Sequence, residues 1–364
     1  MKLLSVVGAR PQFVKLGPID RALEAHNAEH LQSPVEHRVV HTGQHYDANL
    51  SRVFFEQLHL PQPDHNLDVG SGPHGQQTGR MLEAVERVLL EEKPDVVLVL
   101  GDTNSTLAAA LAAAKLHIPL AHVEAGLRSF DKNMPEEINR VLTDHLSDWL
   151  FCPTQGSLDN LVAEGIITGA YEVGDVMYDS VLYHAKLAER ASHILDTLQL
   201  QPQAYALATV HRAQNTDDPE RLGAVFAALR QIAEEQLPVV LPLHPRTQQQ
   251  VMAAEIDTQG VRLVEPVAYL DMLTLERHAA VVLTDSGGVQ KEAYWFDVPC
   301  VTLRPETEWV ETLDAGRNVL ADANAEHIVE AACHRHPKTG QTNLYGDGHA
   351  AEKIVTALLC EIAE

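Results

Sequence analysis

Short, almost uninterrupted apolar runs recur along the chain, each followed by a longer amphipathic stretch, and this alternation restricts the possible folds more than any other feature. The runs predict strands at Leu3–Val7, Arg38–His41, Val96–Leu100, Leu120–Val123 and Trp149–Cys152. A second set follows at Ala204–Val210, Val239–Leu243, Val261–Val264, Val281–Thr284 and Cys300–Leu303. Helices are expected between them, among them Gln76–Glu92, Thr103–Lys115, Pro219–Glu235 and Val289–Phe296. A strand that is apolar along its whole length is covered on both faces, and strict β-α alternation makes its sheet parallel. The expected class is therefore α/β, doubly wound. A chain of 364 residues exceeds one ordinary core, and the pattern restarts near Val173–Val176. Two Rossmann-like domains are expected, 1–170 and 171–347, with a last helix within 348–364 returning to the first domain.

Charge narrows the ligand. The formal net charge of −24 argues against nucleic acid or an anionic membrane as the main partner, since both need a basic face. An anionic ligand must then be met by a few local cations. The four cysteines, Cys152, Cys300, Cys333 and Cys360, form no C-x-x-C pair and read as reduced, buried thiols. The first apolar run meets Arg10 and Lys15 almost at once and reads as a strand, not a signal segment. No stretch approaches the roughly 18 apolar residues of a membrane helix. A cytoplasmic enzyme is expected.

In doubly wound sheets ligands bind outside the carboxyl ends of the strands, so the residues just after each strand carry the information. After the first strand come Gly8, Ala9, Arg10 and Pro11, then a helix with Lys15. A helix start with two cations suits a phosphate, although a surface Arg and Lys would read the same way. Asp102 follows the third strand and Glu124 the fourth, while Glu136 and Glu137 open a later helix. Each acid alone has an ordinary reading: Asp102 as a cap, Glu124 as a surface acid, Glu136 as a partner of Arg140 one turn on. Carboxylates gathered on one sheet edge raise one another's pKa, which suits proton transfer.

The second half repeats the pattern. His211 and Arg212 follow one strand, and His244, Pro245 and Arg246 the next. Val281–Thr284 runs into Asp285, Ser286, Gly287 and Gly288 and then a helix, where bare backbone amides can hold an anion; a plain tight turn is the alternative. Glu292, about a turn into that helix, is placed to accept hydrogen bonds from ribose hydroxyls. Gly70 to Gly75 match G-x-G-x-x-G, but Asn66–Val69 is too polar for a buried strand, so a loop is expected there. With no D-x-D, HExxH or Walker loop, neither a metal nor an organic cofactor is expected. His26 and His30 read as exposed residues.

Taken together, GARPQFVKL, GDTNSTLA, HVEAGLRSF, MPEEINR, the HR of TVHRAQN, LTDSGGVQKEA and RPETEWVE resemble the non-hydrolysing UDP-N-acetylglucosamine 2-epimerase family, in family order along nearly the whole chain. The resemblance implies a glycosyltransferase-B arrangement, two Rossmann-like domains facing across a cleft, and a homodimer acting on a UDP-sugar. It implies that Ser286, Gly287 and Gly288 hold the diphosphate with help from Arg10, that Glu292 holds the ribose, and that Arg304 of RPETEWVE joins the substrate site. It makes Asp102, Glu124, Glu136 and His211 the catalytic set, with Lys15 near the sugar. Where many substrate-regulated bacterial members carry an AQHR-like segment, this chain has Thr42-Gly43-Gln44-His45-Tyr46-Asp47, a departure that bears on any allosteric substrate site. HTGQHYDANLSRVFFEQL and LPLHPRT are similar to the branch acting on UDP-2,3-diacetamido-2,3-dideoxyglucuronate. The C2 proton of such a sugar is not α to a carbonyl, so the implied route is elimination of UDP to a 2-acetamidoglycal followed by re-addition. A glycosyltransferase of the same fold and a hydrolysing relative are the other readings.

Overall fold

The computed structural model describes residues 1–44, 55–56, 58–333 and 343–362, and the chain divides into two compact units, Met1–Ser180 with Asn343–Glu364, and Val181–Thr342. The first unit contains β1 (Lys2–Val7), α1 (Arg10–Glu29), β2 (Glu36–His41), β3 (His65–Asn66), α2 (His74–Glu92), β4 (Val96–Leu100) and α3 (Asn104–Lys115). It continues with β5 (Leu120–Val123), α4 (Pro135–Leu146), β6 (Trp149–Cys152), α5 (Gln155–Ala163) and β7 (Ala170–Glu172), and the chain leaves it within α6 (Val176–Ala191). The strands form one parallel sheet in the order β3-β2-β1-β4-β5-β6-β7.

The centre of that sheet forms because its sequence leaves no face for water. All five residues of β4, Val-Val-Leu-Val-Leu, are buried. Val97 and Val99 meet Val85, Val88 and Leu89 of α2 and the alanines of α3 in one apolar cluster. Each such side chain contributes roughly 1.5–3 kcal/mol on burial. The small side chains of α3 let it lie close between α2 and α4. Its start is fixed by Thr103, whose hydroxyl accepts from the Thr106 N–H at 3.3 Å.

The second unit holds α7 (Ile194–Thr197), β8 (Ala206–Thr209), α8 (Ala213–Thr216), α9 (Pro219–Glu235), β9 (Val239–Pro242), α10 (Pro245–Ala253) and β10 (Val261–Val264). After these come α11 (Tyr269–His278), β11 (Val281–Thr284), α12 (Gly287–Trp295), β12 (Cys300–Thr302), α13 (Val310–Asp314), β13 (Asn318–Leu320) and α14 (Ala325–Cys333). Its parallel sheet runs β10-β9-β8-β11-β12-β13. Asp218 caps α9 by accepting from the N–H groups of Glu220 and Arg221. A final helix, α15 (Ala350–Ile362), packs on α1 of the first unit, and the Asp179 carboxylate accepts from the Ala351 N–H at 2.8 Å.

Strand order reverses between β1 and β4 in one sheet and between β8 and β11 in the other, and loops diverge at such points to leave room for a ligand. Parallel register sets the neighbours there. Leu100 pairs with Val123, so Asp102 and Glu124 leave adjacent strands; Thr209 pairs with Thr284, so His211 and Asp285 do the same.

The loop expected around Gly70 is present: the two-residue strand β3 before it is an edge strand that is not buried, and α2 begins only at His74. An expectation about the cysteines fails. Only Cys152 and Cys300 are buried; Cys333 and Cys360 are exposed, lying near the ends of amphipathic helices. Among the described residues no helix is long and apolar enough to cross a membrane.

Candidate active site

The turn after β1 is built around Gln12. Its side-chain oxygen accepts from the Gly8 and Ala9 N–H groups at 2.7 and 3.1 Å, and its amide donates to the Leu100 carbonyl and Thr106 hydroxyl at 2.7 and 3.1 Å. Gln12 thus supplies the cap that Ala9 lacks and joins the β1 turn to the tip of β4. A Cβ on Gly8 would lie 1.9 Å from the Ser105 hydroxyl oxygen, so the turn rests directly on α3. The Gly8 and Ala9 amides are therefore engaged within the protein. Arg10 is the first residue of α1.

Beneath the tips of β4 and β5 lies a buried charge network. His122 on β5 is fully buried; its Nε2 meets the Gly101 carbonyl at 2.8 Å and its Nδ1 the Asp144 carboxylate at 2.7 Å. Both ring nitrogens face oxygens, so the ring is held from two sides. Asp144 also accepts from the Gly126 N–H at 3.1 Å and from Arg128 at 2.7 Å, and Arg128 reaches Glu164 at 2.7 and 2.8 Å. Burial pushes the Asp144 carboxyl up, but His122 and Arg128 outweigh it and hold it below its ordinary value.

This network holds two unusual backbone positions. Gly101 has φ +63° and Glu124 has φ +68°. The first suits glycine; the second is a strained conformation for a glutamate. The Glu124 carboxylate is 6% exposed and ion-paired with Lys15 from α1. A Cβ on Gly101 would come within 3.3 Å of Glu124 Oε2 and 3.7 Å of Lys15 Nζ, so the glycine leaves room for the pair. Burial alone would lower the Lys15 ammonium, but Glu124, with Asp102 and Asp175, raises it above its ordinary value.

Asp102 is the open member, with 29% of its side chain exposed, and pairs with Arg140. Arg140 also donates to Glu137 at 3.1 Å, and Glu137 accepts from the Ser129 N–H and hydroxyl at 2.8 and 2.9 Å and from the Phe130 N–H at 2.9 Å. Asn139 completes the clamp, donating to the Asp102 carbonyl at 2.9 Å. Arg140 is thus the partner of Asp102 and Glu137, where the sequence suggested Glu136. Glu136 itself is exposed on the first turn of α4.

The second unit presents a separate strand-tip cluster. Asp285, fully buried at the end of β11, accepts from the His211 and Arg212 N–H groups at 3.1 and 3.0 Å and from Asn215 at 3.2 Å. It also meets His211 Nδ1 at 3.1 Å, which leaves Nε2 of the half-exposed ring directed away from the carboxylate. Burial pushes the Asp285 carboxyl up, yet these bonds hold it below its ordinary value. Ser286 is the N-cap of α12, accepting from the Val289 N–H at 3.5 Å, and Gly287 and Gly288 are its first helical residues. N–H groups there have no acceptor within a helix. A Cβ on Gly288 would meet nothing nearer than the Ser286 hydroxyl at 3.8 Å, whereas one on Gly287 would lie 3.0 Å from the Trp309 ring nitrogen.

Arg304, 6% exposed, forms a two-pronged pair with Glu308 at 2.9 and 3.0 Å, and Arg212 approaches Glu308 at 4.0 Å. Glu292 is buried in α12 and accepts from the Tyr269 hydroxyl at 3.3 Å. Beside His211 lies a cavity of about 350 Å³ lined by Pro242, His244, Arg246, Val267 and Met272. The structure therefore gathers Lys15, Asp102 and Glu124 in one unit, and His211 with the Ser286 loop in the other.

Sequence reasoning passed over Asp285, although it stands beside Ser286-Gly287-Gly288 at a strand tip. It also gave no role to Gln12 or His122, and it gave Arg140 only the wrong partner, Glu136. Within the segment compared for allostery, His45, Tyr46 and Asp47 lie outside the described residues.

Comparison with known proteins adds an independent line. Residues 28–359 match the family model described as UDP-N-acetylglucosamine 2-epimerase. The chain is 50% identical to the UDP-2,3-diacetamido-2,3-dideoxy-D-glucuronate 2-epimerase of Pseudomonas aeruginosa, over 98% of this chain and 99% of that one. It is 49% identical to a UDP-N-acetylglucosamine 2-epimerase homolog of Methanococcus maripaludis, with the same coverage. The crystal structure of the Methanocaldococcus jannaschii UDP-GlcNAc 2-epimerase in complex with UDP-GlcNAc and UDP superposes with a TM-score of 0.86 at 44% identity, covering 99% of this chain and 100% of that one.

Proposed function

Because the chain belongs to the UDP-N-acetylglucosamine 2-epimerase family, we propose that it inverts C2 of a UDP-N-acetylhexosamine, converting UDP-GlcNAc to UDP-ManNAc. The observation that carries this reading is the buried, strained Glu124, paired with Lys15 and set beside the more open Asp102. Two carboxylates in different surroundings, each matched to a cation, suit removal of a proton from one face of a carbon and its return to the other. In the first half-reaction a carboxylate takes the C2 proton while the C1–O bond breaks, giving UDP and a 2-acetamidoglycal. In the second, a diphosphate oxygen attacks C1 while an acid delivers a proton to the opposite face of C2. Asp102, Glu124 and Glu136 form the proton-transfer set.

The second unit holds the leaving group. The free N–H groups at the start of α12 and the Ser286 hydroxyl receive the diphosphate, with Arg10 and Arg304 adding positive charge. His211, aimed by Asp285, stabilises charge on the leaving oxygen. Glu292 accepts from the ribose hydroxyls, and the cavity beside His211 takes the base. The reaction needs no metal or organic cofactor. The protein works as a cytoplasmic homodimer; exposed Ile138 and Leu142, one turn apart on α4, with Phe130 nearby, support a self-contact that sedimentation would test.

The 50% identity to the Pseudomonas aeruginosa enzyme favours a second substrate, UDP-2,3-diacetamido-2,3-dideoxyglucuronate. One experiment addresses both. Incubation of each sugar nucleotide with the protein in deuterated water, followed by NMR, is expected to show deuterium at C2 and interconversion of the C2 epimers. Exchange with the diacetamido sugar alone moves the substrate and keeps the chemistry. Accumulation of free ManNAc, or a C2 that stays protonated with both sugars, overturns the epimerase reading.

A further inference from the structure

The nucleotide site contains a second acid that the chemistry above does not use. Glu276, on α11, is fully buried, and among the described residues no hydrogen-bond donor reaches either of its carboxyl oxygens. What faces it is another acceptor, the carboxyl of Glu292 on α12. Two ionised carboxylates cannot share a dry site, but a proton on one makes it a donor and satisfies both. Complete burial places that proton on Glu276, and the field of Glu292 holds it there.

The surroundings agree with one neutral and one charged member. Tyr269, on α11 with Glu276, donates to Glu292 at 3.3 Å, and its ring meets His184 edge-on at 5.5 Å. Lys291, beside Glu292, lies 4.0 Å from the Trp309 ring centroid and adds positive charge. From the sheet side come Tyr205, just before β8, whose hydroxyl donates to the Leu275 carbonyl at 2.5 Å, and the buried Cys300 thiol of β12. Burial pushes both of these up, so neither contributes a second negative charge.

We propose that Glu276 is a positioning residue for the nucleotide: as a neutral acid it donates to Glu292, fixing that carboxylate and keeping it ionised for the two hydroxyls of a ribose. The inference rests on the ribose role given to Glu292 above. An ionised carboxylate accepts from both hydroxyls at once, which its neutral form does less well. Burial pushes the Glu292 carboxyl up; the bond from Tyr269, the charge of Lys291 and the bond from Glu276 oppose the rise and leave it at about 7. Without the donor the Glu292 carboxyl would lie higher still.

The test is UDP affinity by calorimetry from pH 6 to 8.5 for the wild type, E276Q, E276L and E292A. Protonation of UDP itself is common to all four. Wild type and E276Q, whose amide also donates, are expected to share one profile, weakening as pH falls below about 7. E276L is expected to bind about tenfold more weakly at pH 7, the scale of one hydrogen bond to a charged group, with its profile displaced to higher pH. It should melt no lower than the wild type, because it removes a buried polar group. A wild-type profile for E276L, or E276Q as weak as E276L, overturns the donor role while leaving the ribose reading standing. Unchanged affinity in E292A overturns the ribose reading and this inference with it. If E276L fails to fold, E276M gives the same comparison.

Discussion

The left-handed backbone at Glu124 gives a clean measure of strain beside a reactive group. A non-glycine residue in that region costs roughly 1–2 kcal/mol, while glycine loses about 0.5–1 kcal/mol more chain entropy on folding than alanine. At φ +68° the first effect is the larger. E124G and E124A both remove the carboxylate and leave Lys15 without Glu124, so those losses cancel between them. The remainder favours E124G by about 0.5–1 kcal/mol, or roughly 1–4 °C in Tm for a unit of this size. Scanning calorimetry gives the melting temperatures, and the fluorescence of Trp149 on β6, in a background with Trp295 and Trp309 replaced by Phe, assigns the transition to the first unit. Both variants should lose at least about 100-fold in kcat, as should E124Q, which keeps the side-chain volume without the charge. If E124A is as stable as E124G, the backbone at 124 is not strained and the reasoning fails.

Other consequences are equally direct. D285N keeps one acceptor where the backbone N–H groups of His211 and Arg212 need a carboxylate; it should lose about 2–3 kcal/mol in urea unfolding and at least about 100-fold in kcat. G288V should retain the wild-type circular dichroism and melting temperature, since the added Cβ makes only an ordinary van der Waals contact with Ser286, but lose UDP binding by calorimetry. Asp179 has its carboxyl raised to about 6, chiefly by burial, so its contribution is complete below its unfolded value near 3.8 and is lost as pH rises through about 6. Urea titrations at pH 5 and pH 8 should show a smaller loss of stability with rising pH in D179N than in the wild type. Asp144 has the opposite sign: held low, it stabilises above its unfolded value and ceases to as pH falls through the lower folded one, so D144N should flatten the acid limb of unfolding.

The central strands were legible because burial on both faces writes itself as unbroken apolar runs. Val96–Leu100, Leu120–Val123, Trp149–Cys152 and Val281–Thr284 have the bounds expected of them. His65–Asn66, Ala170–Glu172 and Asn318–Leu320 were not, because they are short edge strands. Strand tips were legible for the same reason as the strands, and so were Asp102, Glu124 and His211 as residues standing at tips. What was not legible is pairing between segments. That Arg140 meets Asp102, that His122 lies under the Gly101 carbonyl, or that Glu276 faces Glu292 depends on which helices pack together. Each of those residues has an ordinary local neighbourhood.

The first unit closes only when the end of the chain comes back to it: α15 lies on α1, with Asp179 holding its first turn. The second unit, Val181–Thr342, is by contrast uninterrupted in the chain. During synthesis it can complete its core while the first unit still lacks its last helix. Until α15 leaves the ribosome, the apolar surface it later covers on α1 stays open to water and to chaperones. A premature stop just before Ala350 should therefore leave a second unit that folds beside a first unit that does not, and the surviving product should be a proteolytic fragment resembling the second unit.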